Sequence, residues 1–218
     1  MSGSHPPAGA GHDHGRGAGA QITNVQRVVE RLAGLAERGI ATPVVLIDGP
    51  SGAGKSTLAD RVVASWPSAR GVDRAGHSSD AGPQLVRLDE LYPGWGGLVA
   101  GSRQIAEELL APLRGTGVGR WRSWDWARDR PGAWHGVTAQ RPVMIEGCGA
   151  LSRASAAHAD LAIWLSADDT VRKRRALARD RGAFDAHWQM WDEQFTGFVR
   201  TQHPLALADL VLDGNSSP

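Results

Sequence analysis

The sequence predicts an α/β fold with a mainly parallel sheet of five strands flanked by helices. Three observations lead to this prediction. Short apolar runs rich in β-branched residues alternate with segments of helical periodicity. The run at 44–47 is apolar throughout, as expected for a strand that is buried on both faces of a parallel sheet. A glycine-rich turn and a helical pattern follow it directly, which is the order of elements in a phosphate-binding βα unit.

The remaining elements are predicted in chain order from periodicity and caps. Thr23 and Gln26 have the spacing of a capping box, and apolar residues then recur at helical spacing until Gly39. A second helix is predicted at 56–64, after the glycine-rich turn. Further strands are predicted at 85–89, 142–146, 161–165 and 210–213.

Composition predicts one folded domain at 21–218, preceded by a disordered tail at 1–20. The stretch 67–83 is polar and is predicted to be a long exposed loop. The formal net charge of +1 gives no global basic field for DNA or a membrane surface. The sequence has one cysteine, Cys148, and no apolar run of membrane-spanning length, so we expect a cytoplasmic protein.

The glycine-rich turn carries the strongest chemical signal. It begins at Gly49 and reads Gly-Pro-Ser-Gly-Ala-Gly-Lys-Ser, which matches the phosphate loop of nucleoside triphosphate-binding proteins, between a strand and a helix as the motif requires. Lys55 is expected to reach the β- and γ-phosphates, and the Ser56 hydroxyl to ligate Mg²⁺. We therefore predict ATP and Mg²⁺ as ligands. The residues expected to bind the nucleotide are Gly49, Ser51, Gly52, Ala53, Gly54, Lys55, Ser56 and Thr57.

Acidic residues end three of the predicted strands, where ligands of an open parallel sheet bind. These residues are Asp48, Asp89 and Glu146. Each of these residues, taken alone, is also explained as a solvated strand end. Because all three are expected to lie around the phosphate loop, a role in ligand binding or catalysis is favoured. Asp89 is the candidate base for an acceptor hydroxyl, and Glu146 is the candidate for ordering Mg²⁺ or its waters.

The segment 115–136 interleaves tryptophans with arginines, which favours an anion-binding or base-stacking surface. The alternation Trp121-x-x-Trp124-x-Trp126 suits a β-hairpin whose tryptophans fill a small core, and we prefer this interpretation. Binding of single-stranded nucleic acid is the alternative, although we expect no nucleic-acid partner.

A second arginine-rich segment follows the fourth predicted strand. Ser166 and Asp169 have capping-box spacing, and Arg172, Arg175 and Arg179 then fall on one helix face. A solvated surface helix explains this pattern, and so does a lid, at about 169–184, that neutralises phosphoryl charge and excludes water.

The order of these motifs resembles the P-loop small-molecule kinases, specifically the uridine kinase-like group of nucleoside and nucleotide kinases. The resemblance covers about 41–214. It includes the phosphate loop, Asp89-Glu-Leu-Tyr92 and Trp124-Asp125-Trp126 with Arg130. It continues with Ile145-Glu146-Gly147, Arg175-x-x-x-Arg179-Asp180 and Ala208-Asp209.

The resemblance implies transfer of the ATP γ-phosphate to a hydroxyl of a small molecule, with Lys55, Asp89, Arg175 and Arg179 as catalytic residues. An insertion at about 91–137 would hold the acceptor. Two departures, Trp124 for tyrosine and Glu90 for aspartate, leave the acceptor's identity open. A nucleoside monophosphate kinase and a non-kinase ATP-binding switch are the alternatives. The residues expected to line the acceptor pocket are Tyr92, Trp95, Arg122, Asp125 and Arg130.

Overall fold

A computed structural model describes residues 23–66, 82–179, 182 and 184–215. The predicted tail at 1–20 and most of the predicted loop at 67–83 lie outside these residues. No helix in the described ranges is long and apolar enough to span a membrane.

The centre of the fold is a parallel sheet of five strands in the order β2-β5-β1-β6-β7. This confirms the predicted sheet. Its strand β1 is buried at every position, as its uninterrupted apolar run predicts. The strands are β1 (Val44–Asp48), β2 (Gln84–Arg87), β5 (Val143–Glu146), β6 (Leu161–Ser166) and β7 (Leu210–Asp213).

Helices cover both faces of the sheet. The capping box predicted at Thr23 is present, because its hydroxyl accepts from Gln26 N at 3.2 Å while Gln26 Oε1 accepts from Thr23 N at 2.7 Å. The helices are α1 (Asn24–Glu37), α2 (Lys55–Ala64), α3 (Leu98–Gln104), α4 (Ala111–Thr116), α5 (Arg153–Ala156), α6 (Asp169–Arg179), α7 (Trp188–Gln202) and α8 (Pro204–Leu207). A π-helical segment, Ile105–Leu110, joins α3 to α4.

Two apolar cores flank the sheet. On one face, Val28 and Leu32 of α1 and Leu58 of α2 pack with strand residues such as Ile47 and Ile163. On the other, the helices from α3 onward pack with Leu46 and Ile145. Apolar side chains thus cover both faces of the sheet. The candidate functional polar residues lie at the ends of its strands.

The hairpin predicted in the tryptophan-rich segment is present as antiparallel strands β3 (Val118–Asp125) and β4 (Arg130–Thr138). The prediction that its tryptophans fill a small core holds in part. Trp121 is buried and stacks on His135 with ring centroids 4.3 Å apart. Trp126 and Trp134 are exposed, so most of this segment is a surface.

Two predicted boundaries are wrong. The predicted strand 85–89 ends at Arg87, and Asp89 lies in a 3₁₀ turn, Leu88–Glu90. Ser166 does not cap the arginine-rich helix, because it is the last residue of β6 and donates its hydroxyl hydrogen to Leu212 O at 3.0 Å. Helix α6 begins only at Asp169.

Candidate functional site

The phosphate loop joins β1 to α2 and depends on glycine at two positions. Gly49 and Gly52 have φ angles of +151° and +81°, where other residues are strained. A Cβ atom at Gly49 would overlap the carbonyl group of Leu165, and one at Gly52 would overlap that of Arg172. The loop is therefore pressed against β6 and α6, and only glycine allows this approach.

Helix α2 presents its N-terminus at the end of the loop. The N-cap residue is Gly54, which has no side chain to satisfy the amide groups of the first turn. The first turn of a helix has N–H groups without intrahelical partners, and the helix dipole adds positive potential there. This end of α2 is suited to bind phosphate oxygens.

Lys55 is buried beneath the loop. Its Nζ donates to Gly49 O at 2.8 Å and Pro50 O at 3.0 Å, and it lies 3.4 Å from Cys148 Sγ. Burial lowers the pKa of Lys55, whereas Cys148, Glu146 and the other nearby acidic groups raise it. Together these groups outweigh burial, so the pKa of Lys55 lies above its ordinary value. The ammonium therefore keeps its charge, as phosphate binding requires.

Asp48 ties the loop to the segment that follows β5. Its carboxylate accepts from three backbone amides, those of Gly49 at 2.6 Å, Gly149 at 3.0 Å and Leu151 at 2.8 Å. Complete burial raises the pKa of Asp48 to about 6, while the backbone hydrogen bonds and Lys55 oppose the shift. Asp48 is thus a structural clip at the base of the loop.

Glu146 ends β5, in parallel register with Ile47 of β1 and Arg87 of β2. It is buried, accepts a hydrogen bond from Ser56, and pairs with Arg87 Nη1 at 3.3 Å. Burial raises the pKa of Glu146, against the opposing effect of Lys55. Ser56 and Glu146 offer adjacent oxygen ligands of the kind that Mg²⁺ prefers.

No cluster of three or more His, Cys, Asp or Glu side chains within the described ranges could hold a metal ion. Mg²⁺ in phosphoryl-transfer sites commonly uses one or two protein side chains together with phosphate oxygens and water. The Ser56 and Glu146 pair fits that form of binding.

Asp89 is exposed on its 3₁₀ turn and faces the phosphate loop across a cleft of about 260 Å³. Its main-chain carbonyl accepts a hydrogen bond from Trp126 Nε1 at 2.9 Å, so the hairpin supports the turn. The cleft brings together most of the predicted donor-side residues. Its lining comprises Ser51, Gly52, Gly54, Lys55, Ser56, Thr57, Asp89, Glu146, Gly147, Cys148, Arg175, Ala176 and Arg179.

The three arginines predicted to share one face of α6 have different surroundings. Arg172 is buried, pairs with Asp169 at 2.7 Å and Asp192 at 2.8 Å, and lies 5.3 Å from the ring centroid of Trp188. Arg175 donates to Gly214 O at 2.6 Å and lines the cleft, as does Arg179. Arg172 thus anchors α6 to α7, while Arg175 and Arg179 reach the phosphate side.

The residues predicted for the acceptor are less concentrated. Tyr92 is 1% exposed and donates its hydroxyl hydrogen to Cys148 O at 2.7 Å, so it supports the site from within the core. Trp95 is half-buried and stacks on His187 at 4.4 Å and on Phe184 at 5.2 Å between ring centroids. It also contacts Trp126 of the hairpin at 5.1 Å.

The other three predicted acceptor residues lie on the hairpin. Arg122 is exposed and lines a second cleft, of about 210 Å³, together with Trp124. Asp125 pairs with Arg128 at 3.0 Å, and Arg130 is exposed at the start of β4. The two clefts share none of their described lining residues. The structure therefore does not gather the five predicted acceptor residues around Asp89.

Two residues that border the phosphate loop were missed by the sequence analysis. Trp191 of α7 donates from Nε1 to Ser51 Oγ at 3.0 Å. Cys148 lies 3.4 Å from the same hydroxyl. The helical spacing of Trp191 with Trp188 and Phe195 predicts burial, but nothing in that pattern indicates contact with a loop 140 residues earlier in the chain.

Comparisons with known proteins give a match in structure alone. No family model and no curated protein matches the sequence. A possible uridine kinase from Bacillus stearothermophilus aligns over 86% of this chain and 100% of its own, with 17% identity and a TM-score of 0.51. A "putative fructose transport system kinase" from Silicibacter sp. TM1040 aligns over 86% and 96%, with 21% identity and a TM-score of 0.47. The first likeness confirms the predicted α/β fold, which the chain shares with that possible uridine kinase.

Proposed function

We propose that this protein is an ATP-dependent kinase that transfers the γ-phosphoryl group to a hydroxyl of a small molecule. One observation carries the proposal. A single cleft brings the phosphate loop together with an exposed carboxylate, Asp89, and with two arginines, Arg175 and Arg179. The single cysteine, a free and buried thiol, favours a reducing cytoplasm as the place of action.

The donor half of the reaction requires positive charge around the phosphates. Lys55 and the N-terminus of α2 would bind the phosphate oxygens, and Arg175 and Arg179 would approach them from α6. Charge spreads over the phosphoryl oxygens in the transition state, so cations fixed in this position lower the barrier. Packing of Gly52 against the Arg172 carbonyl keeps α6 next to the loop.

The acceptor half requires a group that orients the hydroxyl and takes its proton. Asp89 is suited to this role because its carboxylate is exposed to the cleft while its backbone is held by Trp126. As the oxygen of the acceptor bonds to phosphorus, its proton would pass to the Asp89 carboxylate and ADP would leave.

Mg²⁺ would supply neutralisation of the phosphate charge when bound. Ser56 and Glu146 are the residues that would hold it, directly or through water. Arg87 forms a salt bridge with Glu146 and thereby helps to orient the Glu146 carboxylate.

Coupled detection of ADP release tests the proposal. The panel comprises nucleosides, nucleoside monophosphates, monosaccharides and small hydroxy acids. A kinase releases ADP far faster with one class of acceptor than without any. Equal ADP release with and without every acceptor would favour an ATP-hydrolysing switch, and a response confined to monophosphates would favour a nucleoside monophosphate kinase.

A further inference from the structure

Trp191 holds the middle of the phosphate loop from outside it. Its indole Nε1 donates to Ser51 Oγ at 3.0 Å, and the side chain is 5% exposed. Ser51 is half-buried and lines the cleft, so this is a part-buried neutral hydrogen bond of modest net strength. This contact joins α7 to a loop that lies 140 residues earlier in the chain.

The loop needs an anchor of this kind. Gly49, Gly52 and Gly54 all have positive φ angles, and glycine gives the backbone wide conformational freedom. Asp48 fixes only the beginning of the loop, through Gly49 N. Lys55 fixes the carbonyls of Gly49 and Pro50, but the same ammonium is the one that would turn to the phosphates. When it does so, two side-chain tethers of the loop remain: the Ser51 hydroxyl, which accepts from Trp191, and the Cys148 thiol, which lies 3.4 Å from both Ser51 Oγ and Gly49 O.

The Trp191 ring also contacts aromatic residues near the Asp89 turn. It packs edge-to-face on Tyr92 with ring centroids 4.7 Å apart, and lies 6.5 Å from Trp95. Tyr92 follows the turn that carries Asp89, and Trp95 contacts Trp126, whose indole supports the same turn. One side chain therefore touches both the phosphate loop and the aromatic packing behind Asp89.

We infer that Trp191 is a positioning residue that preorganises the phosphate loop through the Ser51 hydroxyl and sets the loop's position relative to the Asp89 turn. The inference rests on the proposed function insofar as the ligand is ATP. The affinity of the phosphate loop for nucleotide would then depend on the indole N–H of Trp191.

The hydrogen bond itself is tested without any nucleotide. In a ¹H–¹⁵N spectrum, the indole resonance that disappears in Trp191→Phe identifies Trp191. Ser51→Ala removes the acceptor, so this resonance should move upfield in that variant. An unmoved resonance overturns the inference whatever the protein's function is.

The consequence for binding is tested by a double-mutant cycle on ATP affinity, measured by calorimetry with ATP and Mg²⁺. Trp191→Phe keeps the aromatic packing on Tyr92 and loses the donor, and we expect roughly three- to ten-fold weaker binding. Ser51→Ala should weaken binding similarly, and the double variant should bind no more weakly than either single variant. Trp121→Phe is the matched control, since it removes an indole from the hairpin core and should leave ATP affinity unchanged.

The outcomes separate the two proposals. If the unmodified protein fails to bind ATP, the proposed function is overturned. If it binds ATP and the Trp191 and Ser51 variants bind equally well, or their effects simply add, the positioning role is overturned. Thermal unfolding of each variant identifies general destabilisation, which would lower the midpoint without the non-additive pattern in affinity.

Discussion

The proposed donor side and the proposed acceptor side of the cleft are built in different ways. On the donor side, Asp48 and Glu146 end adjacent strands and Lys55 begins α2, and all three side chains are buried and hydrogen-bonded. On the acceptor side, Asp89 lies on an exposed turn, and the hairpin residues are mostly exposed and engaged with their own neighbours. Burial and fixed geometry favour strong electrostatic interactions, so the donor side is suited to chemistry that is common to all substrates. The exposed side can vary to suit the acceptor.

The largest expected effect separates chemistry from nucleotide binding. Asp89→Asn should lower acceptor-dependent turnover roughly 10²- to 10⁴-fold, the usual contribution of a general base, while ATP affinity stays near that of the unmodified protein. Turnover is measured as ADP release with the best acceptor, and affinity by calorimetry. Glu90→Gln, a change at the adjacent exposed residue, is the control. Full turnover in Asp89→Asn would remove this carboxylate from the mechanism.

A second substitution tests the buried charge on the donor side. Lys55→Ala should lower turnover roughly 10²- to 10³-fold, because a cation that stabilises the transferring phosphoryl group is lost. ATP affinity should also fall, in contrast to Asp89→Asn. Arg61→Ala, an exposed change on the same helix, should behave like the unmodified protein in both assays. Turnover that is insensitive to loss of Lys55 would contradict the assignment.

The pH dependence of stability tests the clip beneath the loop. The pKa of Asp48 is about 6 in the folded protein, above its ordinary value of 3.8, so the folded state binds more protons between these values. The contribution of protonated Asp48 is complete below pH 3.8 and is lost as pH rises through about 6, a change of about 3 kcal/mol.

Urea unfolding from pH 4 to 7 measures this contribution as the difference between the unmodified protein and Asp48→Asn. The difference should vary with pH in the stated direction, because asparagine does not titrate. A difference that is constant over this range would show that Asp48 is charged throughout, as in an exposed carboxylate.

The smallest effect is expected on the hairpin. Arg130→Ala should raise the acceptor KM by a few-fold at most, because an exposed guanidinium contributes about 1 kcal/mol or less to a charged contact. The turnover number and ATP affinity should not change. Arg120→Ala, which removes an arginine stacked on the exposed Trp134, is the control. A loss in turnover as large as that of Asp89→Asn would mean that the hairpin closes over the cleft and takes part in chemistry.

The same contrast explains how much was predictable from the sequence. The parallel sheet and the phosphate loop follow from local patterns, since an apolar strand, glycines at fixed spacing and a helix specify the loop's conformation. Asp48 and Glu146 were found because residues that end parallel strands meet at one edge. Asp89 was predicted to lie at the same edge, and it lines the cleft although its strand ends earlier, at Arg87.

The contacts that depend on tertiary packing were not predictable. Trp191 reaches Ser51 only because α7 packs across the loop, and periodicity indicates burial without naming the neighbour. Tyr92 has a residue type that suits a binding pocket, yet it is buried and bonded to Cys148 O. The lid prediction gave the same role to Arg172, Arg175 and Arg179. In the structure, Arg172 pairs with Asp192 of α7 and does not line the cleft, whereas the other two arginines do.

Transfer of radiolabel from the γ-phosphate of ATP tests the central claim most directly. The protein is incubated with labelled ATP, Mg²⁺ and each class of hydroxyl-bearing small molecule, and the products are separated into organic phosphate and inorganic phosphate. We expect one class to acquire the label as a phosphate ester, and Asp89→Asn to abolish this product while still binding ATP. Label that appears only as inorganic phosphate, at a rate that no small molecule changes, would contradict the proposed kinase activity.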